Sequence, residues 1–336
     1  MSKSKVYVSS VVPREVQDLL SANTEMDMWP GVEPVPADVL LKAAADATGL
    51  MVQVFDKIDS KLLQSADGLK VVSVGGSGTD NVDLAEATRL GISIGNTPCA
   101  GSKGTADMAM ALLLAAARRI AEIDRFVRAG GWVHDLATMH LAGQEVHENK
   151  LGIVGLGQIG TEMAKRARGF DMKVMYFSRS RKPDLEKQLD IEWCNRLEDL
   201  LKRADFVSLH VRLTPETEHL VGEHELSLMK ETAILVNSSR GRVVDQQALY
   251  RALESDAIAG AALDVMEVEP LPMDDPILSL ENVVLSPHLG TDTHGTRLKV
   301  AMTAARNLSS LASRARSCST VSIPKFTNAE GVRSRR

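Results

Sequence analysis

The chain has 336 residues, a length that favours two domains over one. With 44% hydrophobic and 25% charged residues, its composition is that of an ordinary folded protein, which excludes a disordered chain, a collagen and a coiled coil. The net charge of −5 and the aromatic content of 4% argue against nucleic-acid binding, because that function needs a basic face or aromatic stacking platforms.

The first third of the chain alternates strand-like and helix-like segments, the pattern of a parallel α/β sheet. Strands are predicted at residues 6–12, 49–55, 69–74 and 92–94, and helices at 13–20, 39–45 and 83–90. A single long helix is predicted next, over 105–128. Its small and apolar residues surround nearly the whole helix, so we expect it to be buried in the core and against a partner subunit.

A second α/β series begins at Lys150. Strands are predicted at 151–154, 173–177, 206–210, 233–237, 260–265 and 283–285, with helices at 159–168, 197–203, 223–228 and 245–254. Six strands in this arrangement are the number in a complete dinucleotide-binding sheet. A last helix is predicted over 294–311, and the basic, polar residues 326–336 predict a disordered tail.

The cysteines and the apolar segments exclude several further classes of protein. Cys99, Cys194 and Cys318 are far apart and lack metal-ligand spacing, so we expect neither a disulfide framework nor a metal site. The N-terminal residues lack the apolar stretch of a signal peptide, and the longest apolar segment, 108–117, is too short to span a bilayer. We therefore expect a cytoplasmic protein that has no membrane partner.

A glycine-rich segment begins the second series. Gly155, Gly157 and Gly160 follow an apolar strand and precede a helix, which is the context that gives the Gly-x-Gly-x-x-Gly pattern its meaning. The three glycines permit a tight turn, the approach of a pyrophosphate and close packing of helix on strand, respectively. The pattern predicts a dinucleotide site; a glycine-rich turn without a ligand is the alternative.

The end of the next strand carries the specificity signal for the dinucleotide. NAD-specific folds place a carboxylate there to bind the ribose 2′-hydroxyl, but residues 177–182 contain none. Arg179 and Arg181 can pair with a 2′-phosphate, and Ser178 or Ser180 can donate a hydrogen bond to it. We therefore expect NADP(H) as the preferred cofactor and NAD(H) as the alternative, unless the loop is only a solvated basic turn.

Three polar side chains after strands of the second series suit hydride transfer to a 2-oxo acid. His288 can donate a proton at neutral pH, Glu269 would orient its ring, and Arg240 would stabilise the developing negative charge. Each of these residues alone is more often structural. Together, beside a dinucleotide fingerprint, they predict an oxidoreductase. No serine or cysteine lies in a nucleophile-elbow motif, which disfavours covalent catalysis.

These segments resemble the D-isomer-specific 2-hydroxyacid dehydrogenase family and, within it, the glyoxylate/hydroxypyruvate reductases. The matching stretches span nearly the whole chain in the order of the family: 76–83, 155–160, 208–217, 236–244, 264–271 and 286–290. The resemblance implies that Arg240 binds the substrate carboxylate and carbonyl, that Glu269 is the partner of His288, and that His288 is the acid/base. It further implies that the backbone of Gly76, Ser77 and Gly78 holds the substrate carboxylate.

The resemblance also implies cofactor contacts for Asp264, at the nicotinamide amide, and for His210, Val211 and Thr217. Arg212 stands where many members have proline and adds a cation near the adenosine. The cofactor-binding residues that we expect are Thr105, Gly155, Leu156, Gly157, Gln158, Ile159, Gly160, Ser178, Arg179, Ser180, Arg181, His210, Val211, Arg212, Thr217, Ser238, Asp264, His288 and Gly290.

The fold implied by the resemblance is α/β, with two Rossmann-like domains, parallel sheets and an active-site cleft between them. A flavodoxin-like substrate domain would comprise residues 1–99 and 291–325, and an NAD(P)-binding Rossmann domain with dimerisation helices would comprise 100–290. A homodimer is usual for the family.

The expected activity is the NAD(P)H-dependent reduction of glyoxylate, hydroxypyruvate or a similar small 2-oxo acid to the D-2-hydroxy acid. Oxidation of phosphite, or another D-2-hydroxyacid dehydrogenase activity, is an alternative on the same fold. Formate dehydrogenases resemble this family but carry glutamine in place of Glu269, so formate is disfavoured. A corepressor-like, non-enzymatic dinucleotide sensor is a further alternative, because a fold does not fix a function.

Overall fold

The computed structural model describes residues 3–133 and 141–317, with 310–317 as backbone only. It divides into two compact units: Met1–Ala100 with His294–Arg336, and Gly101–Thr293. The chain therefore leaves the first unit after Ala100, one residue later than predicted, and returns to it at His294, three residues later than predicted. Cys318 and the predicted tail 326–336 lie outside the described residues.

The first unit contains a five-stranded parallel sheet with the order β2-β1-β3-β4-β5. Its strands are β1 (Ser4–Val8), β2 (Thr24–Met28), β3 (Gly49–Val52), β4 (Val71–Val74) and β5 (Ser93–Gly95). Its helices before the crossing are α1 (Arg14–Asn23), α2 (Ala37–Asp46), α3 (Ser60–Gln64) and α4 (Leu84–Arg89). This strand order is that of the flavodoxin-like sheet, as predicted. Strand β2, an edge strand with alternating burial, was missed by the sequence patterns.

The second unit contains a seven-stranded parallel sheet with the order β12-β11-β10-β9-β6-β7-β8. Its helices are α5 (Ser102–Ala117), α6 (Ile120–Arg128), α7 (Gln158–Arg168), α8 (Pro183–Leu189), α9 (Leu197–Arg203), α10 (Glu223–Ser227) and α11 (Gln246–Glu254). Its strands are β6 (Lys150–Val154), β7 (Lys173–Phe177), β8 (Glu192–Trp193), β9 (Phe206–Leu209), β10 (Ile234–Asn237), β11 (Gly260–Leu263) and β12 (Val283–Leu285). The strand order reverses between β6 and β9, and in open α/β sheets ligands bind at such a switch point.

Two predictions for the second unit are wrong. The single helix expected over 105–128 is two helices, because Arg119 adopts a left-handed conformation with φ of 51° and its guanidinium pairs with Glu122 at 2.7 Å in the first turn of α6. The sheet has seven strands and not the six that were predicted. The missed strand is β8, whose two residues are too few to show periodicity.

The last helix, α12 (His294–Ser317), belongs to the first unit. Ala304, Ala305 and Leu308 are fully buried in the core beside β1 and β3. The hydroxyl of Ser73 in β4 donates a hydrogen bond to the carbonyl oxygen of Ala304 at 2.8 Å. The returning segment therefore completes the core of the first unit. None of the helices in the described part of the chain is long and apolar enough to cross a membrane.

Candidate active site

The glycine-rich turn connects β6 to α7. Gly155 has a φ of 98°, and a Cβ atom there would lie 2.8 Å from the carbonyl oxygen of His210. A Cβ atom at Gly160 would lie 2.2 Å from the carbonyl oxygen of Gly155, whereas one at Gly157 would meet nothing within 4 Å. Gly155 and Gly160 therefore serve the packing of the turn, and Gly157 leaves open space at the start of α7, as a bound pyrophosphate requires.

Three more predicted cofactor residues lie in or beside this turn. Leu156 is buried, Ile159 is half-buried in the first turn of α7, and the side-chain oxygen of Gln158 lies 3.1 Å from the hydroxyl of Ser102. That contact ties the start of α7 to the start of α5.

Two buried polar atoms at the switch point lack a partner among the described residues: Nδ1 of His210 after β9 and the hydroxyl of Ser238 after β10. The register pairs Leu209 with Asn237, so these two residues stand at neighbouring strand ends. Burial lowers the pKa of His210 to about 4, so its ring is neutral at pH 7. Unpaired buried polar atoms carry a free-energy cost that a ligand can remove, and these two fit the polar groups of a dinucleotide.

Asp264, Thr105 and Gly290 meet at the end of β11. Asp264 is 1% exposed and accepts a hydrogen bond from the Leu289 N–H at 2.8 Å. Burial raises its pKa, although Ser286, the Leu289 N–H and His288 oppose this effect. A Cβ atom at Gly290 would lie 2.9 Å from the Asp264 carboxylate and 3.3 Å from Thr105 Cγ2. The three predicted cofactor residues therefore form one cluster.

The loop after β7 holds the predicted 2′-phosphate residues. Ser178 donates a hydrogen bond to the carbonyl oxygen of Ser180 at 2.7 Å, and Arg179 is exposed. Arg181 pairs with Glu186 at 2.8 Å, and its guanidinium lies 5.1 Å from the centre of the Trp193 ring. A phosphate would therefore have to compete with Glu186 for Arg181.

The loop after β9 contains Val211, Arg212 and Thr217. The hydroxyl of Thr217 donates a hydrogen bond to the carbonyl oxygen of Arg212 at 2.6 Å and accepts one from the Thr214 N–H at 2.8 Å. Val211 is half-buried and Arg212 is exposed. Thr217 thus closes this loop upon itself, which fixes the position of Arg212.

His288 and Glu269 form a pair after β12 and β11. Nδ1 of His288 lies 2.7 Å from Oε2 of Glu269, while the other carboxylate oxygen accepts a hydrogen bond from the Met266 N–H at 3.0 Å. Burial disfavours the ionised form of Glu269, but His288, the Met266 N–H and Arg240 outweigh this effect and lower its pKa. The side chains of His288 and Glu269 are 33% and 37% exposed, and Nδ1 is the ring nitrogen that contacts Glu269.

Arg240 follows β10, the neighbour of β11 in the sheet. Buried Asn237 shapes its turn: the Asn237 amide donates a hydrogen bond to the Arg240 carbonyl oxygen at 2.9 Å and accepts one from the Ser239 N–H at 3.0 Å. The sequence motif included Asn237 without giving it a role. A buried amide at the end of an apolar strand is the signal that could have identified it.

The predicted substrate loop of the first unit follows β4. The Thr97 N–H donates a hydrogen bond to the Gly76 carbonyl oxygen at 2.8 Å, and the Asn96 amide donates one to the Ser77 carbonyl oxygen at 2.7 Å. No described residue accepts a hydrogen bond from the N–H groups of Gly76, Ser77 or Gly78. Successive unpaired N–H groups at the end of a strand can bind an anion.

Within residues 3–133 and 141–317, no group of three or more histidine, cysteine, aspartate or glutamate side chains could hold a metal ion.

Comparisons with known proteins identify the family. The family model of the D-isomer specific 2-hydroxyacid dehydrogenase, NAD binding domain, matches residues 110–290, more than half of the chain. A glyoxylate reductase of Korarchaeum cryptofilum is 46% identical over 306 residues, which cover 91% of this chain and 92% of that protein. The chain belongs to the D-isomer-specific 2-hydroxyacid dehydrogenase family. The resemblance inferred from the motifs is therefore confirmed.

Solved structures of the family agree with the fold. The NADPH-dependent glyoxylate/hydroxypyruvate reductase of Sinorhizobium meliloti, in complex with NADP and malonate, is 29% identical with a TM-score of 0.81 and covers 91% of this chain and 93% of its own. The D-lactate dehydrogenase of Aquifex aeolicus, complexed with NAD and lactic acid, is 28% identical with a TM-score of 0.80, and the match covers 93% and 96%. The α/β class and the nicotinamide dinucleotide cofactor follow from these matches, but the choice between NAD and NADP does not.

Proposed function

We propose that the protein reduces glyoxylate, hydroxypyruvate or a closely similar 2-oxo acid to the D-2-hydroxy acid, with NADPH as the preferred cofactor. The observation that carries this proposal is the pair of His288 and Glu269, 2.7 Å apart, in an NAD-binding domain of this family. The names of the relatives at 42–46% identity, all glyoxylate reductases, support the choice of substrate.

A nicotinamide dinucleotide held at the turn around Gly157 would supply the hydride that the carbonyl carbon receives in the proposed reaction. Protonated His288 donates the proton that the carbonyl oxygen needs as it becomes an alkoxide. Ionised Glu269 keeps the ring oriented through Nδ1, so that Nε2 carries the transferable proton. Its lowered pKa keeps this carboxylate charged at neutral pH.

Substrate binding is assigned to charged and N–H groups. The guanidinium of Arg240 binds the substrate carboxylate and the carbonyl oxygen, whose negative charge grows in the transition state. In the first unit, the unpaired N–H groups of Gly76, Ser77 and Gly78 suit an anion, and the proposal assigns them to the substrate carboxylate. These groups suit a small anionic substrate.

The cofactor is held by the turn around Gly157, by the polar atoms of His210 and Ser238, and by Asp264. The preference for NADPH rests on Arg179, because it is an exposed cation in a loop without a competing carboxylate between 177 and 182. Glu216 is an acidic residue near Arg179. Its pKa is lowered mainly by a hydrogen bond from Thr214 and, to a smaller extent, by the positive charge of Arg179.

Replacement of His288 tests the reaction. We expect His288→Gln to abolish most turnover with glyoxylate and hydroxypyruvate, because the proton donor is lost. The variant should still bind NADPH in a fluorescence titration, because the glycine-rich turn around Gly157 is unchanged. His224→Gln is the matched control, since His224 is an exposed histidine of the same unit. Wild-type turnover in His288→Gln would refute the assigned role.

Replacement of Arg179 tests the cofactor preference. A hydrogen-bonded ion pair with phosphate contributes about 1.5–3 kcal/mol, so Arg179→Ala should raise the dissociation constant of NADPH about 10- to 100-fold and leave that of NADH nearly unchanged. Arg196→Ala, which removes an exposed arginine paired with Glu198, is the control. Equal losses for NADPH and NADH would contradict the preference.

A homodimer is proposed as well. Helix α6 has no buried residue in the single chain, and its Ile120 and Val127 are 55% and 44% exposed, which suits a face covered by a second copy. Sedimentation equilibrium of the wild type and of Ile120→Lys tests this state; a monomeric wild type contradicts it.

A further inference from the structure

Two segments that carry active-site residues run against each other in the second unit. The turn after β10 contains Arg240 and Gly241, and the segment after β11 contains Met266, Glu267 and Glu269. A Cβ atom at Gly241 would lie 1.8 Å from the carbonyl oxygen of Met266 and 2.4 Å from the Glu267 nitrogen. The backbones are thus in direct contact, and a shift of one segment displaces the other.

Gln246, the first residue of α11 after this turn, and Glu267 join the start of α11 to the segment after β11 by reciprocal hydrogen bonds. The Gln246 N–H donates to Oε1 of Glu267 at 3.2 Å, and the Glu267 N–H donates to Oε1 of Gln246 at 3.0 Å. Each residue therefore uses its side chain to satisfy the backbone of the other. We call these two residues the Gln246–Glu267 clamp.

Both residues of the clamp make one further polar contact each. The Gln246 amide donates a hydrogen bond to Asp275 at 2.8 Å, and Nε2 of His219 lies 2.7 Å from Oε1 of Glu267. Gln246 is 9% exposed, so loss of its amide would leave buried groups unpaired. The two residues of the clamp therefore make four polar contacts, at least three of which are hydrogen bonds.

Helix α11 does not need the Gln246 side chain for its own N-terminus. Asp245 caps this helix, and its carboxylate accepts a hydrogen bond from the Ala248 N–H at 2.9 Å. Such caps typically satisfy the first turn of a helix. The side chain of Gln246 instead reaches the segment of Glu269.

The clamp leads directly to the carboxylate that orients His288. Met266, the residue before Glu267, donates its N–H to Oε1 of Glu269 at 3.0 Å, and Oε2 of Glu269 lies 2.7 Å from Nδ1 of His288. The backbone at Met266–Glu267 therefore sets where this carboxylate lies. We propose that Gln246 and Glu267 are positioning residues that fix Glu269, and through it the ring of His288, relative to Arg240.

This inference rests on the proposed roles of His288 and Glu269. Misplacement of a reacting group by about 1 Å can cost about 100-fold in rate, so a loosened clamp should lower kcat far more than it raises KM. A role confined to the stability of α11 predicts a lower melting temperature without that split.

The test compares three variants of the full chain. Gln246→Met keeps the volume but removes the amide, and Glu267→Ala removes the acceptor; each should lower kcat about 10-fold or more with KM for the 2-oxo acid changed less than about threefold. Glu267→Gln keeps an oxygen for the Gln246 N–H and should retain most of kcat. Nitrogen NMR of labelled histidine, with the His288 signal assigned from His288→Gln, should show an altered Nδ1 resonance in the first two variants only.

Asn282→Ala is the matched control, because Asn282 donates an amide hydrogen bond to Leu253 at the other end of α11, at 3.2 Å. It should lower stability and leave kcat and the His288 resonance unchanged. If folded Gln246→Met or Glu267→Ala keeps the wild-type kcat and the wild-type His288 resonance, the positioning proposal is wrong, and the proposed reaction is unaffected. Wild-type turnover in His288→Gln overturns the proposed function itself.

Discussion

His210 makes the stability of the second unit sensitive to acid. Burial lowers its pKa from an ordinary value of 6.5 to about 4. The folded state therefore holds fewer protons on this ring than the unfolded state at intermediate pH. Stability contributed by the neutral ring is fully present above pH 6.5 and is lost as the pH falls towards 4.

The size of this effect follows from the two pKa values. The interval between 6.5 and about 4 corresponds to about 3 kcal/mol of unfolding free energy when the ring is fully protonated. About 2 kcal/mol of that amount falls between pH 7 and pH 4.5. A loss of this size is measurable, because whole domains are stable by only about 5–15 kcal/mol.

His210→Gln is the informative perturbation, because its amide does not titrate and can still reach the Ser208 hydroxyl, which lies 2.9 Å from Nε2 in the wild type. Urea unfolding of both proteins at a series of pH values isolates the contribution of this side chain, since all other groups cancel in the difference. We expect the variant to gain about 2 kcal/mol relative to the wild type between pH 7 and pH 4.5. Parallel curves would refute the reasoning, as would a ring that titrates near 6.5 in histidine NMR.

Two further predictions concern the cofactor turn and the basic loop. Gly160→Ala should lower the melting temperature and weaken NADPH binding, because its Cβ atom would lie 2.2 Å from the Gly155 carbonyl oxygen. Gly157→Ala should weaken NADPH binding without changing the melting temperature, because its Cβ atom would meet nothing within 4 Å. Calorimetry measures both melting temperatures, and equal values for the two variants would contradict the packing argument. Glu186→Gln should tighten NADPH binding by up to about fivefold relative to NADH, because it releases Arg181 from an exposed ion pair. An unchanged ratio of the two dissociation constants would place Arg181 out of reach of the 2′-phosphate.

Local sequence patterns predicted the parts of the fold that depend on local chemistry. Gly155 needs a positive φ and Gly160 needs contact without a Cβ atom, so the residue types alone located the turn. Strands β6, β9, β10 and β11 are mostly or fully buried, and their sequences are therefore short apolar runs that could be recognised as strands. Arg240 and His288 follow β10 and β12, and they could be assigned to one edge of the sheet because the carboxyl ends of parallel strands lie at the same edge.

The features that were missed depend on partners distant in the sequence or on a single dihedral angle. The break at Arg119 comes from one left-handed residue and its ion pair with Glu122, which a helical periodicity does not record. The pairing of Arg181 with Glu186 and Trp193 could not be inferred either, because α8 and β8 were not recognised. The Gln246–Glu267 clamp spans 21 residues of chain and has no motif of its own.

The path of the chain sets an order for folding during synthesis. The strands of the second unit come from one continuous segment of the chain, and all of them have been synthesised once Leu285 has been added. The first unit begins the chain, yet Ala304, Ala305 and Leu308 of its core are made after that point. Domains generally fold as units during synthesis. The first unit therefore cannot complete its core until the unit inserted into it has been synthesised. Until then, α12 is not available to cover β3 and β4.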